Sequence, residues 1–121
     1  MKPIKTKDRC TKKRLEKCEE IARLYSKIAV AYADILEADD GIQTIACNVP
    51  MEGLSVGGYS SDFVCTRTDG SQMVRECVWR RKLLSPRTAK LLDASREYWL
   101  KRGVQDWGIV IEKEGESNEA I

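Results

Sequence analysis

Apolar positions in the first third of the chain recur at alternating spacings of three and four. Leu15, Cys18, Ala22, Tyr25, Ala29, Tyr32 and Leu36 form one stripe, with Ile21, Ile28 and Ile35 beside it. That is the period of an amphipathic helix. The pattern predicts one long helix over 11–38, with Thr11 able to cap its start and Asp39-Asp40-Gly41 ending it. A sustained heptad also suits a dimeric coiled coil, and helix 11–38 is then a homodimer surface. The small Ala22 and Ala29 favour close packing on the chain's own sheet, whose strands need a cover.

After residue 41 the period changes. Ile42–Val49 reads as a strand ending at Pro50, and 53–61, with Gly57-Gly58, as a loop. Asp62–Arg67 and Met73–Trp79 are rich in β-branched and aromatic residues and flank Thr68-Asp69-Gly70-Ser71, so they predict a hairpin. Ser85-Pro86 opens a second helix, Ser85 as cap and Pro86 in its first turn. Ala89, Leu91, Leu92, Ser95, Tyr98 and Trp99 carry its period, and Gly103 is placed to end it in a left-handed conformation. Trp107–Ile111 is a final strand. The predicted order is α-β-β-β-α-β.

Length and charge refine this outline. A chain of 121 residues is one domain's worth, and its 42% hydrophobic and 33% charged residues suit a globular fold. No run approaches the roughly 20 apolar residues that span a bilayer, and no apolar segment follows the basic start, so a cytoplasmic location and no membrane partner are expected. The net charge is +2 but uneven. Residues 1–10 read as a basic flexible arm able to follow a phosphate backbone, 11–113 as the domain, and 114–121 as an acidic flexible tail.

There is no histidine. That excludes Ser-His-Asp and Cys-His nucleophile chemistry and histidine metal sites, and leaves carboxylates, lysines or thiols for any catalysis. The five cysteines include no C-x-x-C pair. Cys47, Cys65 and Cys77 lie among apolar residues and read as buried thiols, whereas Cys10 and Cys18 lie in polar sequence.

Two carboxylates remain. Asp62 starts one strand of the hairpin and Glu76 lies in the other, so the pair could share a divalent cation, which takes oxygen ligands. Equally, Glu76 could be a buried ion pair with Arg75, Arg96 or another base, and Asp62 a strand-start cap. Trp79-Arg80-Arg81-Lys82, with Arg87 and Lys90, is the densest basic patch outside the arm. A tryptophan among arginines can stack on bases while the cations hold phosphates; the plainer reading puts Trp79 in the core and leaves Arg80 and Arg81 solvated.

Tyr59-Ser60-Ser61-Asp62-Phe63-Val64, the Asp69-Gly70 turn, Glu76-Cys77-Val78, Lys90-Leu91-Leu92, Arg96, Tyr98-Trp99, Gly103 and Trp107-Gly108-Ile109-Val110-Ile111-Glu112 follow in an order that resembles the N-terminal nuclease domain of the TnsA family. These are endonuclease subunits of heteromeric, cut-and-paste transposases. Upstream, Ser26-Lys27-Ile28-Ala29, Ile35-Leu36-Glu37-Ala38-Asp39 and Ile45-Ala46-Cys47-Asn48 resemble further segments of that family, so the likeness spans about residues 20 to 113.

The resemblance implies an α/β restriction-endonuclease-like PD-(D/E)xK core, a mixed sheet flanked by two helices. It implies Asp62 and Glu76 as metal ligands and catalytic residues, Mg²⁺ as cofactor, DNA as substrate and a transposase or other protein as partner. The chain departs from the pattern at two positions. Ala29 stands where the family's helix supplies a Glu, and Val78 where its strand supplies the catalytic Lys. Lys90, or Arg80, Arg81 and Lys82, could stand in for the lysine. Asp34 or Glu37 could stand in for the helix carboxylate, although Asp34 lies about 140° around a helix from Ala29. Two functions are therefore expected: a Mg²⁺-dependent DNA endonuclease, or a degenerate relative that binds DNA or protein through the same fold.

Overall fold

Local signals build the second half of the chain as expected. The computed structural model describes residues 1–4 and 8–113. Tyr59–Arg67 (β5) and Gln72–Cys77 (β6) form the antiparallel hairpin, with Phe63 opposite Arg75 and Cys65 opposite Met73. Its turn uses Gly70 at φ 89°, and the Asp69 side chain accepts the Ser71 N–H. Ser85 caps the helix Pro86–Lys101 (α2), which ends at Gly103 with φ 84°. Asp106–Val110 (β7) then runs parallel to β6, as a crossover through a helix allows.

Ile42–Met51 (β4) lies antiparallel to β5. It extends through Pro50, which the hairpin pattern took for its end. β4 has β5 as its only strand partner among the described residues, and an edge strand of this kind tolerates a proline. β5 likewise starts earlier than expected, at Tyr59.

The first half differs from the expected long helix. Only Lys27–Ala38 (α1) is helical, capped by the Ser26 hydroxyl, which accepts the Ala29 N–H. Upstream, Thr11–Lys13 (β2) and Ala22–Leu24 (β3) pair antiparallel in a small separate sheet. Ala22 and Leu24 are buried and Arg23 between them is exposed, a period of two hidden inside the period of 3.6. The intervening segment is tied to the end of α1. The Glu37 carboxylate accepts the N–H groups of Glu16 and Lys17, and the Lys17 ammonium donates to the Leu36 and Asp39 carbonyls. Helix 11–38 is thus absent as a dimer surface: Leu15, Ala22, Ala29 and Leu36 of its stripe lie in the core.

The arm expected over 1–10 is also partly corrected. Lys2–Pro3 (β1) is a strand on β5, with Lys2 opposite Ser60 and Pro3 opposite Tyr59. After Arg75, β6 parts from β5 but stays with β7 through Cys77, and the Val78 N–H donates to the Val110 carbonyl. β1 occupies the stretch of β5 that β6 has left. The expected acidic tail, 114–121, lies outside the described residues.

The result is a mixed sheet with a helix on each face. Ala29, Ala33 and Leu36 of α1 pack with Ile45, Phe63, Cys65 and Met73 on one side. Trp99 of α2 packs with Met51, Val64, Val74 and Val104 on the other. No helix among the described residues is long and apolar enough to cross a membrane.

Asp106 fastens the parallel pair to the hairpin. Its carboxylate takes the Arg67 guanidinium of β5 and, at 2.8 Å, that of Arg75 of β6. Burial acts to raise its pKa, but the hydrogen bonds and charges of the two arginines hold it below the usual carboxylate range. This lowered pKa contributes stability above the unfolded value, about 4, that is lost as pH falls. Asp106→Asn is expected to lose on the order of 1 kcal/mol at neutral pH, the carboxylate being partly exposed, and to flatten the acid limb of thermal stability against pH.

Candidate functional site

The site begins at one fully buried carboxylate. Glu76 of β6 has no exposed surface. An ionised group there is tolerated only if its oxygens are hydrogen-bonded and its charge is paired. Ser61 donates its hydroxyl to Oε2 at 2.8 Å, Ser95 of α2 donates to the same oxygen at 2.5 Å, and the Asp62 N–H donates to Oε1 at 2.8 Å. The indole N–H groups of Trp99 and Trp107 donate in turn to the Ser61 and Ser95 hydroxyls. Sheet and helix are thereby linked through a chain of polar groups inside an otherwise apolar layer.

Charge balance comes from the chain's own α-ammonium group. The Met1 nitrogen lies 3.0 Å from Asp62 Oδ2 and 3.7 Å from Glu76 Oε1, with only 2% of that residue's side chain exposed. Asp62 Oδ2 also accepts the Cys77 N–H at 2.8 Å. Burial works to lower the ammonium pKa, but the charges of Asp62 and then Glu76 carry it above its ordinary value. Burial pushes Glu76 upward, against the pull of the ammonium and the Ser95 hydrogen bond. Of the alternatives for Glu76, the geometry selects the buried ion pair, with a base that no motif announces. Arg75 is committed to Asp106 instead.

Asp62 opens onto a cavity of about 890 Å³ at the end of the sheet, between the first turns of the two helices. Ala29 and Val78 line this cavity with it, so the positions of the two sequence departures do converge on the aspartate. They add only aliphatic surface. Asp34 and Glu37 point elsewhere, to Lys13 and to the N–H groups of Glu16 and Lys17.

The expected basic residues divide. Arg81, Lys82 and Arg87 line the cavity, Arg87 donating to the Tyr59 hydroxyl at 3.2 Å. Arg80 is exposed beside it, and Lys90 is exposed on α2 outside the lining. Trp79 lines the cavity but is buried, so its ring is packing surface rather than an open stacking platform. Arg23, Tyr25, Ser26 and Asn48 also line the cavity and were not anticipated. The signal for them was there in Ser26 as a helix cap, masked by the longer helical stripe. Ser61 and Ser95 were equally legible only as strand and helix positions.

A divalent cation does not fit the residues as they stand. Such an ion takes about six oxygen ligands. Both Glu76 oxygens are engaged by internal donors, and the ammonium occupies the position between the carboxylates. Among the described residues, no group of three or more acidic, cysteine or histidine side chains is arranged to hold a metal. Four of the five thiols offer little nucleophilicity. Burial pushes Cys65 up to about 12 and raises Cys18, Cys47 and Cys77 as well.

Breaking a buried pair leaves its partner uncompensated, at about 3–5 kcal/mol. Glu76→Ala and Nα-acetylation of Met1 are each expected to lower urea stability by about that amount. Because both act on one ion pair, the doubly altered protein should lose clearly less than the sum. No protein-family model matches the chain, and no curated protein sequence matches it significantly.

Proposed function

We propose that the protein is a DNA-binding module that does not cut, built on a restriction-endonuclease-like core and related to the TnsA-type endonucleases that its sequence resembles. The segment order α1-β4-β5-β6-α2-β7 and the mixed sheet support that core. The observation that carries the reading is the composition of the cavity around Asp62. The positions where the resemblance calls for a glutamate and a lysine are Ala29 and Val78, both lining it. An alanine holds no metal and a valine stabilises no developing charge.

What the cavity retains is positive charge. Arg23, Arg81, Lys82 and Arg87 line it against the single carboxylate of Asp62. Each phosphate neutralised by such a group releases counterions, which makes binding strongly dependent on salt.

Electrophoretic mobility and nicking assays test this together. Binding to DNA at about 50 mM salt is expected to weaken by some orders of magnitude at about 200 mM. The triple variant Arg81→Ala, Lys82→Ala, Arg87→Ala should lose it at the lower salt. No Mg²⁺- or Mn²⁺-dependent nicking is expected. Nicking that disappears in Asp62→Ala would overturn the reading in favour of an active endonuclease.

A further inference from the structure

The cationic side chains around the cavity come from opposite faces of the sheet. Arg81, Lys82 and Arg87 belong to the short 3-10 turn Arg80–Leu84 and the first turn of α2. Arg23 and Tyr25 belong to β3 and the segment leading into α1, across the end of the sheet. None of these four cations has an ion-pair partner among the described residues, whereas Arg67 and Arg75 are both paired.

The far wall is held in place deliberately. Asn48 adopts φ 54°, a left-handed conformation that asparagine tolerates better than most residues. From there its side-chain amide donates to the Arg23 carbonyl at 2.8 Å. Arg23 itself remains exposed. Both helices also begin at the cavity, each capped by a serine and each without an acidic residue in its first turn. Their positive ends therefore add to the potential instead of being neutralised.

We propose that this cavity binds single-stranded DNA, one strand lying between the two walls. Its phosphates are met from both sides by Arg23 and by Arg81, Lys82 and Arg87, and a base packs beside Tyr25, over whose ring the Lys2 ammonium lies at 5.5 Å. The proposal builds on the DNA-binding reading and adds the strandedness of the ligand. A concave space of about 890 Å³ is the size of a small-ligand site; the bases of a single strand can turn into such a hollow, whereas those of a duplex are stacked and paired. A charged groove with an aromatic wall is the general means of gripping one strand without reading its sequence.

Fluorescence anisotropy with labelled oligo-dT and with a duplex of equal length tests the inference. The single strand is expected to bind at least tenfold more tightly. Arg23→Ala should weaken it several-fold and reduce the slope of log affinity against log salt by about 0.7, the value for one phosphate on a single strand. Tyr25→Ala should weaken it without changing that slope. Lys101→Ala, on the exposed far end of α2, should change neither, and matching melting temperatures establish that the variants are folded.

A duplex bound as tightly as the single strand, with Arg23→Ala and the more severe Arg23→Glu both silent, would overturn this inference and leave DNA binding standing. Failure of both probes to bind at about 50 mM salt, where the phosphate attraction is strong, would overturn the underlying reading as well.

Discussion

Glu76 is the point on which the structure turns. A carboxylate with no exposed surface obliges everything around it to supply hydrogen bonds or positive charge. The suppliers come from three elements: Ser61 and the Asp62 N–H from β5, Ser95 from α2, and the ammonium leading into β1. Two tryptophans, on α2 and β7, orient the serines. The residue that gives the sheet its polar centre also decides how the helix above it sits and what the first residues of the chain must do. A hydrophobic residue of similar size would fill the space without specifying any of these partners.

That arrangement separates two properties which a nuclease-like site would combine. Glu76 is turned inward, and Asp62, although it borders the cavity, is paired with the chain's own ammonium. The basic groups are turned outward, on the rim of the cavity. In a chain of net charge +2, these cations, without ion-pair partners among the described residues, are where the proposed DNA-binding reading places the nucleic acid. Binding and bond-breaking place opposite demands on electrostatics here: the carboxylates that would hold a metal also repel phosphate, and pairing them with an ammonium removes that repulsion.

Much of the fold was legible because its signals are local. Ser85-Pro86, Asp69-Gly70 and Gly103 each determine a backbone turn within a few residues, and the structure follows them. The stripe from Leu15 to Leu36 misled because burial by a strand and burial by a helix select the same residues when the strand is only three long. Ala22 and Leu24 alternate, but two buried positions are too few to outweigh seven at helical spacing. At the site, the adjacency of Asp62 and Glu76 follows from hairpin register and was readable. The cation between them was not, since a chain terminus carries no motif. Arg23 entered the cavity only through the β3 strand that the helical period concealed.

The edge of β5 is completed by two pieces of chain that are far apart in sequence. β6 covers one stretch, ending at Phe63, and β1 another, with Lys2 opposite Ser60, so that Ser61 and Asp62 lie between them. A two-residue strand has no stability of its own, and its pairing spans nearly 60 residues. It can be seated only on a hairpin that already exists and has already bent away. Closure of the carboxylate centre therefore depends on a contact between residues as far apart in sequence as Met1 and Asp62. One hairpin thus sets two acidic groups close together, and a pairing distant in sequence brings the positive charge that offsets them.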